Sequence, residues 1–173
     1  MPQLVITAVG PDRPGLVGEF TRALFEAGAN VADSRMVNLR GQFAILALVE
    51  GADAVLGSVR ERLPQLGKET GLAVTSTAES KPWEPRAGLP FRIKTYSTDQ
   101  PGIVHRVSSL LRERGVNIEA LETKLESAPF AGSPVFTMEM SVTLPPSVHV
   151  RELRRELQVA CDALDCDVDL EPG

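Results

Sequence analysis

The stretch LVITAVGPDRPGLV (Leu4–Val17) returns 87 residues later as FRIKTYSTDQPGIV (Phe91–Val104), and this repeat decides how the chain folds. In register, Ile6 falls on Ile93, Asp12 on Asp99, Pro14 on Pro101, Gly15 on Gly102 and Val17 on Val104. The match continues through Leu24 and Leu111, Glu26 and Glu113, Gly28 and Gly115, and Asn30 and Asn117. Between the copies runs SKPWEPRAGLP (Ser80–Pro90), whose prolines and glycine break regular structure and mark a linker. Two domains are expected, over residues 1–79 and 91–173, joined by residues 80–90.

Each copy reads alike. Leu4–Val9 is β-rich, and Gly10-Pro11-Asp12-Arg13-Pro14-Gly15 is turn chemistry that cannot continue a strand. A helix follows, with Asp12 or Arg13 expected at the N-cap and Pro14 at the first helical position. Leu16, Val17, Phe20, Ala23, Leu24 and Ala27 recur at the spacing of one buried helical face, and Gly28 ends the helix as a left-handed cap. Val31–Leu39 and Phe43–Val49 read as antiparallel strands joined by Arg40-Gly41-Gln42. Residues 52–69 carry Val55, Leu56, Val59, Leu63 and Leu66 on a helical stripe that Pro64 should kink or shorten, and Leu72–Thr77 closes the unit as a strand.

The second copy reads as strand Phe91–Tyr96, helix Ile103–Arg114, strands Ile118–Leu125 and Val135–Leu144, helix Val150–Leu164 and strand Cys166–Leu170. Phe136, Met138, Met140 and Val142 alternate with polar residues, as a sheet with one covered face requires. The order βαββαβ therefore occurs twice, an α+β class. Right-handed crossovers put both helices of such a unit on one face of a four-stranded antiparallel sheet, the ferredoxin-like arrangement. The other face, or a sheet edge, is expected to meet a partner domain or chain, as a homodimer or by pairing within the chain. The short turn after Leu39 is replaced in the second copy by a longer loop, Glu126–Pro134, whose Phe130 either packs over a neighbouring pocket or tucks against the sheet.

Composition narrows the function. A net charge of −5 and a pI near 5.1 argue against a general phosphate-binding surface, because nucleic-acid affinity comes from clustered Lys and Arg. In Arg151–Glu156 the basic residues are interrupted by Glu152 and Glu156 and read as a solvated helix face. No apolar run is long enough to span a bilayer, and Met1-Pro2-Gln3-Leu4 lacks a basic region before an apolar one, so a soluble cytoplasmic protein is expected. Cys161 and Cys166 have no nearby His, and His105 and His149 are the only histidines; buried free thiols, no metal and no cofactor are expected.

Where a strand passes through a Pro-Gly turn into a helix, the first N–H groups of that helix are unpaired and attract carboxylates. Gly15 and Gly102 let a ligand approach the backbone, and Asp12 and Asp99 offer an acceptor for an ammonium group. The turn thus suits both ends of an amino acid, although Asp, Pro and Gly also serve plain capping.

These residues resemble the ACT family of small-molecule-sensing domains. The resemblance lies in Asp12-Arg13-Pro14-Gly15 with Gly28-Ala29-Asn30-Val31, and in Asp99-Gln100-Pro101-Gly102 with Gly115-Val116-Asn117-Ile118. More narrowly, Gly10–Val17, Ser34-Arg35-Met36 and the loop Ser127–Pro134 are similar to the glycine cleavage system transcriptional repressor family. That resemblance implies an accessory regulator that responds to glycine and acts through a partner transcription factor rather than by touching DNA. The family's serine-binding members imply ligand contacts at Asp12 with Asn30 in the first copy and at Asp99 with Asn117 in the second. The turn itself adds Pro14, Gly15 and Leu16, and Pro101, Gly102 and Ile103, to the expected ligand sites. Those members also use a His two residues before the polar residue, where this chain has Gly10 and Ser97.

Other classes fare less well. The catalytic domains that follow ACT modules in formyltetrahydrofolate deformylases and phosphoserine phosphatases have no counterpart in this sequence, and His105 falls off the buried face defined by Ile103, Val104, Val107, Leu110 and Leu111; no enzyme is expected. RNA-recognition modules share the βαββαβ order, but Tyr96 and Phe43 are isolated and the Lys/Arg-Gly-Phe run is missing. An interaction module without ligand remains the alternative.

Overall fold

The computed structural model describes residues 2–78, 86–127 and 134–173. Residues 80–85 of the expected linker and residues 128–133 of the long loop, Phe130 among them, lie outside the described residues. The chain divides into two compact units, Met1–Trp83 and Glu84–Gly173.

Unit 1 runs β1 (Gln3–Pro11), α1 (Leu16–Glu26), β2 (Asn30–Leu39), β3 (Gln42–Glu50), α2 (Asp53–Thr70) and β4 (Ala73–Ala78). Unit 2 runs β5 (Leu89–Thr98), α3 (Ile103–Glu113), β6 (Asn117–Ser127), β7 (Pro134–Leu144), α4 (Val150–Asp162) and β8 (Cys166–Pro172). The sheets have orders β2-β3-β1-β4 and β6-β7-β5-β8, all pairs antiparallel. The twofold βαββαβ, ferredoxin-like reading is what the structure has.

The core of unit 1 lies between sheet and helices because β1 and β3 alternate in register. Leu4, Ile6 and Ala8 face Val49, Ala47 and Ile45, and α1 and α2 close over them with Phe20, Leu24, Leu56, Val59, Leu63 and Leu66. In unit 2, Ile93, Met138, Met140 and Val142 meet Ile103, Val107 and Leu111 of α3 and Leu153 and Leu157 of α4. A fully buried Leu or Ile of this kind is worth about 1.5–3 kcal/mol of transfer free energy.

Two local expectations change. Helices α1 and α3 begin at Leu16 and Ile103, with left-handed Gly15 (φ 95°) and Gly102 (φ 106°) as the N-caps, not Asp12 or Arg13 ahead of a helical Pro14. No side chain caps either helix, because the cap residue is a glycine and carries none. Helix α2 runs unbroken for 18 residues through Pro64. The buried Leu63 and Leu66 on either side of Pro64 hold the helix where isolated propensity would end it. Gly28 does end α1 left-handed (φ 79°), its N–H reaching Phe25 O at 2.9 Å.

The open faces of the two sheets differ. By register, Val5 and Val9 of β1, Ala44, Leu46 and Leu48 of β3 and Val37 of β2 share the face of unit 1 away from its helices. The same face of unit 2 carries charge: Arg92 pairs Glu139 at 3.2 Å, Lys94 pairs Glu171 at 3.5 Å and Lys124 pairs Glu122 at 3.1 Å. Strand β2 is an edge, exposed along its whole length, and a bulge between Val31 and Asp33 interrupts its ladder.

Candidate functional site

In unit 1 the expected site forms where β1 hands over to α1. The Asp12 N–H donates to Gly41 O at 2.9 Å, tying the turn to the β2–β3 hairpin. The carboxylate of Asp12 accepts from the side-chain amide of Asn38, whose own oxygen accepts the Gly41 N–H at 3.1 Å. Asn38 is a residue that sequence reading did not find. Its signal was faint: an Asn three positions before a hairpin glycine, ordinary turn chemistry.

Gly15 then reverses the chain, and its carbonyl accepts the Glu19 N–H at 2.9 Å. Beside it Arg13 grips Glu19 through two contacts of 2.7 Å. The Arg13 hydrogen bond holds the Glu19 carboxyl below the usual glutamate range, and Glu19 in turn raises the Arg13 guanidinium. A carboxylate of the protein therefore already stands at the positive end of α1, within 3.4 Å of where a side chain on Gly15 would begin.

Unit 2 repeats the turn without that occupant. The residues in register with Arg13 and Glu19 are Gln100 and Arg106. Gln100 points away, its amide donating to Leu164 O. The Gly102 carbonyl accepts the Arg106 N–H at 2.8 Å, and nothing lies within 4 Å of where a Cβ on Gly102 would stand. Asp99 is exposed, and among the described residues its carboxylate has no hydrogen-bond partner. The backbone just ahead of α3 is therefore open at Gly102, while Ile103 turns into the core.

The asparagines stand elsewhere. Asn30 opens β2 opposite Glu50, while Pro11 lies opposite Gln42 at the other end of the sheet. Asp12 and Asn30 are thus separated by the length of α1, 11 residues or ~16 Å, and do not meet within the unit. Asn117, opposite Thr143, donates to Glu119 at 2.6 Å, and Thr143 donates to the same carboxylate at 3.0 Å. These two bonds hold Glu119 below the usual range. Pro14, Leu16, Pro101 and Ile103 frame the two turns; Leu16 and Ile103 are buried and serve the core.

Gly10 and Ser97 also have distinct surroundings. A Cβ on Gly10 would stand 2.9 Å from Leu72 and 3.0 Å from the Gly71 carbonyl, so the α2–β4 corner packs directly on this backbone. A histidine at residue 10 has no room. Ser97 in unit 2 is buried, and among the described residues its hydroxyl and that of Thr95 have no hydrogen-bond partner.

His105, on α3, and His149, at the residue before α4, are both exposed. Cys161 and Cys166 are buried and free, and burial, with Cys166 alongside, pushes the Cys161 thiol up to about 12. Among the described residues no three metal-ligating side chains cluster, and no helix is long and apolar enough to cross a membrane.

A family model described as ACT domain matches residues 2–77. The glycine cleavage system transcriptional repressor of Escherichia coli is 26% identical over 165 residues, covering 94% of this chain and 85% of its own. Among solved structures, an unknown protein from Galdieria sulphuraria superposes with a TM-score of 0.80 at 30% identity, covering 99% of this chain and 98% of its own. Another, bearing the name of a glycine cleavage system transcriptional repressor, superposes with a TM-score of 0.75 at 26% identity, covering 98% and 96%.

Proposed function

We propose that the chain, whose residues 2–77 match an ACT-domain model and whose second half repeats the same βαββαβ unit, senses a small amino acid, glycine first, and controls a partner transcription factor by protein contact. It is a regulatory protein and not an enzyme. The observation that carries the proposal is the duplicated, uncapped helix start: Gly15 and Gly102 both left-handed, each three residues after an aspartate. The ligand carboxylate meets the first N–H groups of the helix, and its ammonium meets Asp12 or Asp99. The open turn at Gly102 is the first site to fill, since the Glu19 carboxylate, held by Arg13, already occupies the approach to Gly15. Asn30 and Asn117 each lie a helix length from the aspartate of their own unit and make no contact with a ligand at that unit's turn.

The similarity to proteins named glycine cleavage system transcriptional repressor supports both the glycine preference and the regulatory role. The net charge of −5 supports contact with a protein rather than with nucleic acid. A second reading, an interaction module that takes no ligand, draws on the apolar open face of unit 1 around Leu46 and Leu48. Thermal melts with glycine, serine and alanine separate the two. A ligand at about 100 times its Kd stabilises the fold by about 2.7 kcal/mol and raises Tm. A flat Tm with every amino acid at millimolar concentration overturns sensing.

A further inference from the structure

The helical face of unit 2 carries a groove of about 320 Å³ between α3 and α4. Its apolar lining is Leu110, Ala160 and Val159, the last 65% exposed. Arg106 and Arg155 stand at its rims, and among the described residues neither has an ion-pair partner. Glu156 is already neutralised, because Arg114 donates to it from the end of α3 at 2.7 Å. That leaves Glu113 as the counter-charge to two arginines, so the groove is locally positive on an acidic chain.

The arginines are spaced along the groove. Strands β5 and β7 are antiparallel, so the helices that follow them, α3 and α4, are antiparallel too. The Arg114–Glu156 pair sets Arg155 level with the C-terminal end of α3. Arg106 is eight residues back, or about 12 Å along the axis. Unit 1 offers the contrast: Glu19 and Glu26 occupy the positions of Arg106 and Glu113, and Ala23 that of Leu110. There Arg13 holds Glu19 and Arg62 holds Glu26, each at 2.7 Å, so the matching surface is internally neutralised.

We propose that the α3–α4 groove of unit 2 docks an acidic amphipathic helix of a protein partner. Two carboxylates about two turns apart meet Arg106 and Arg155, and the apolar side chains between them cover Leu110, Val159 and Ala160. The proposal rests on the reading that the chain works through a protein partner. It is independent of whether an amino acid binds at Gly102.

The test uses the full chain and a labelled synthetic helix carrying Glu two turns apart with Leu pairs between, and its twin with Lys in place of Glu. Fluorescence anisotropy is expected to give saturable binding of the Glu helix, weakened by salt and by about tenfold or more in Arg106→Glu/Arg155→Glu. The Lys helix is expected to prefer that double variant. Both arginines are exposed, so the variant keeps its fold, and an unchanged melting curve and amino-acid response verify this. Absent binding, or binding indifferent to the charge reversal, overturns the proposal. So does a dimer that dissociates in the double variant, which would make a second copy the occupant. Loss of the amino-acid response with peptide binding intact would count against sensing and leave the groove standing.

Discussion

Arg13 and Glu19 close a two-pronged ion pair, both contacts 2.7 Å, beside the left-handed Gly15 that starts α1. It sets a carboxylate at the helix end that the repeat would otherwise leave open, and its counterpart in unit 2 pairs Gln100 with Arg106 and makes no such contact. Two turns with one motif thus differ in access: an ion pair fills the approach to Gly15, and the approach to Gly102 is open.

Glu19→Gln removes that carboxylate. Glycine binding at the first turn, followed by NMR shifts of Gly15 and Leu16, is expected to strengthen about two- to fivefold, with the second turn unchanged. The pair's own pH dependence follows from its direction. Glu19 is lowered in the folded state, so its contribution is complete above the ordinary glutamate pKa and fades as pH falls through the lowered one. Equal glycine affinity in wild type and variant would remove Glu19 from the site.

Gly102→Ala isolates backbone strain from crowding, because a methyl there meets nothing within 4 Å while φ is 106°. A destabilisation of about 1–2 kcal/mol is expected in urea titration, from conformation alone. Gly102→Val also blocks the approach to the α3 N–H groups and is expected to abolish the amino-acid response of unit 2, as Gly15→Val does for unit 1. Normal binding by both valine variants would put the site elsewhere.

Asn38→Asp sets a second carboxylate against Asp12 across the β2–β3 hairpin. The expected loss is about 1 kcal/mol at low ionic strength and less in high salt, which screens the repulsion. Asn38→Ala should lose a similar amount with little dependence on salt. Melts across ionic strength distinguish repulsion from a missing hydrogen bond.

Thr95→Val exchanges a fully buried hydroxyl with no partner for a methyl of the same shape. Removing that desolvation cost is expected to raise stability by about 1 kcal/mol, read as a higher urea midpoint at unchanged slope. Ser97→Ala should act in the same direction. A loss of stability in both would mean that the hydroxyls are satisfied in solution.

The left-handed Gly28 cap, the alternation of β1 and β3 and the 3.6-residue stripe of α1 are properties of neighbours in the chain, and the sequence by itself determined them, together with the duplication and the βαββαβ order. Pro64 shows the limit of such local rules, since tertiary packing of Leu63 and Leu66 carries α2 past it. The tertiary structure alone decided that Asp12 answers to Asn38, 26 residues on, and that Asn30 stands at the far end of the sheet. It also decided that Gly71 and Leu72 close off residue 10, and that Leu46 opens to one face of unit 1 while Glu139 holds Arg92 on the same face of unit 2. The reason is register: the side-chain period of a strand is two, so which residues share a face across strands is set by pairings between distant segments, and a slip of one residue would exchange every one of these neighbours.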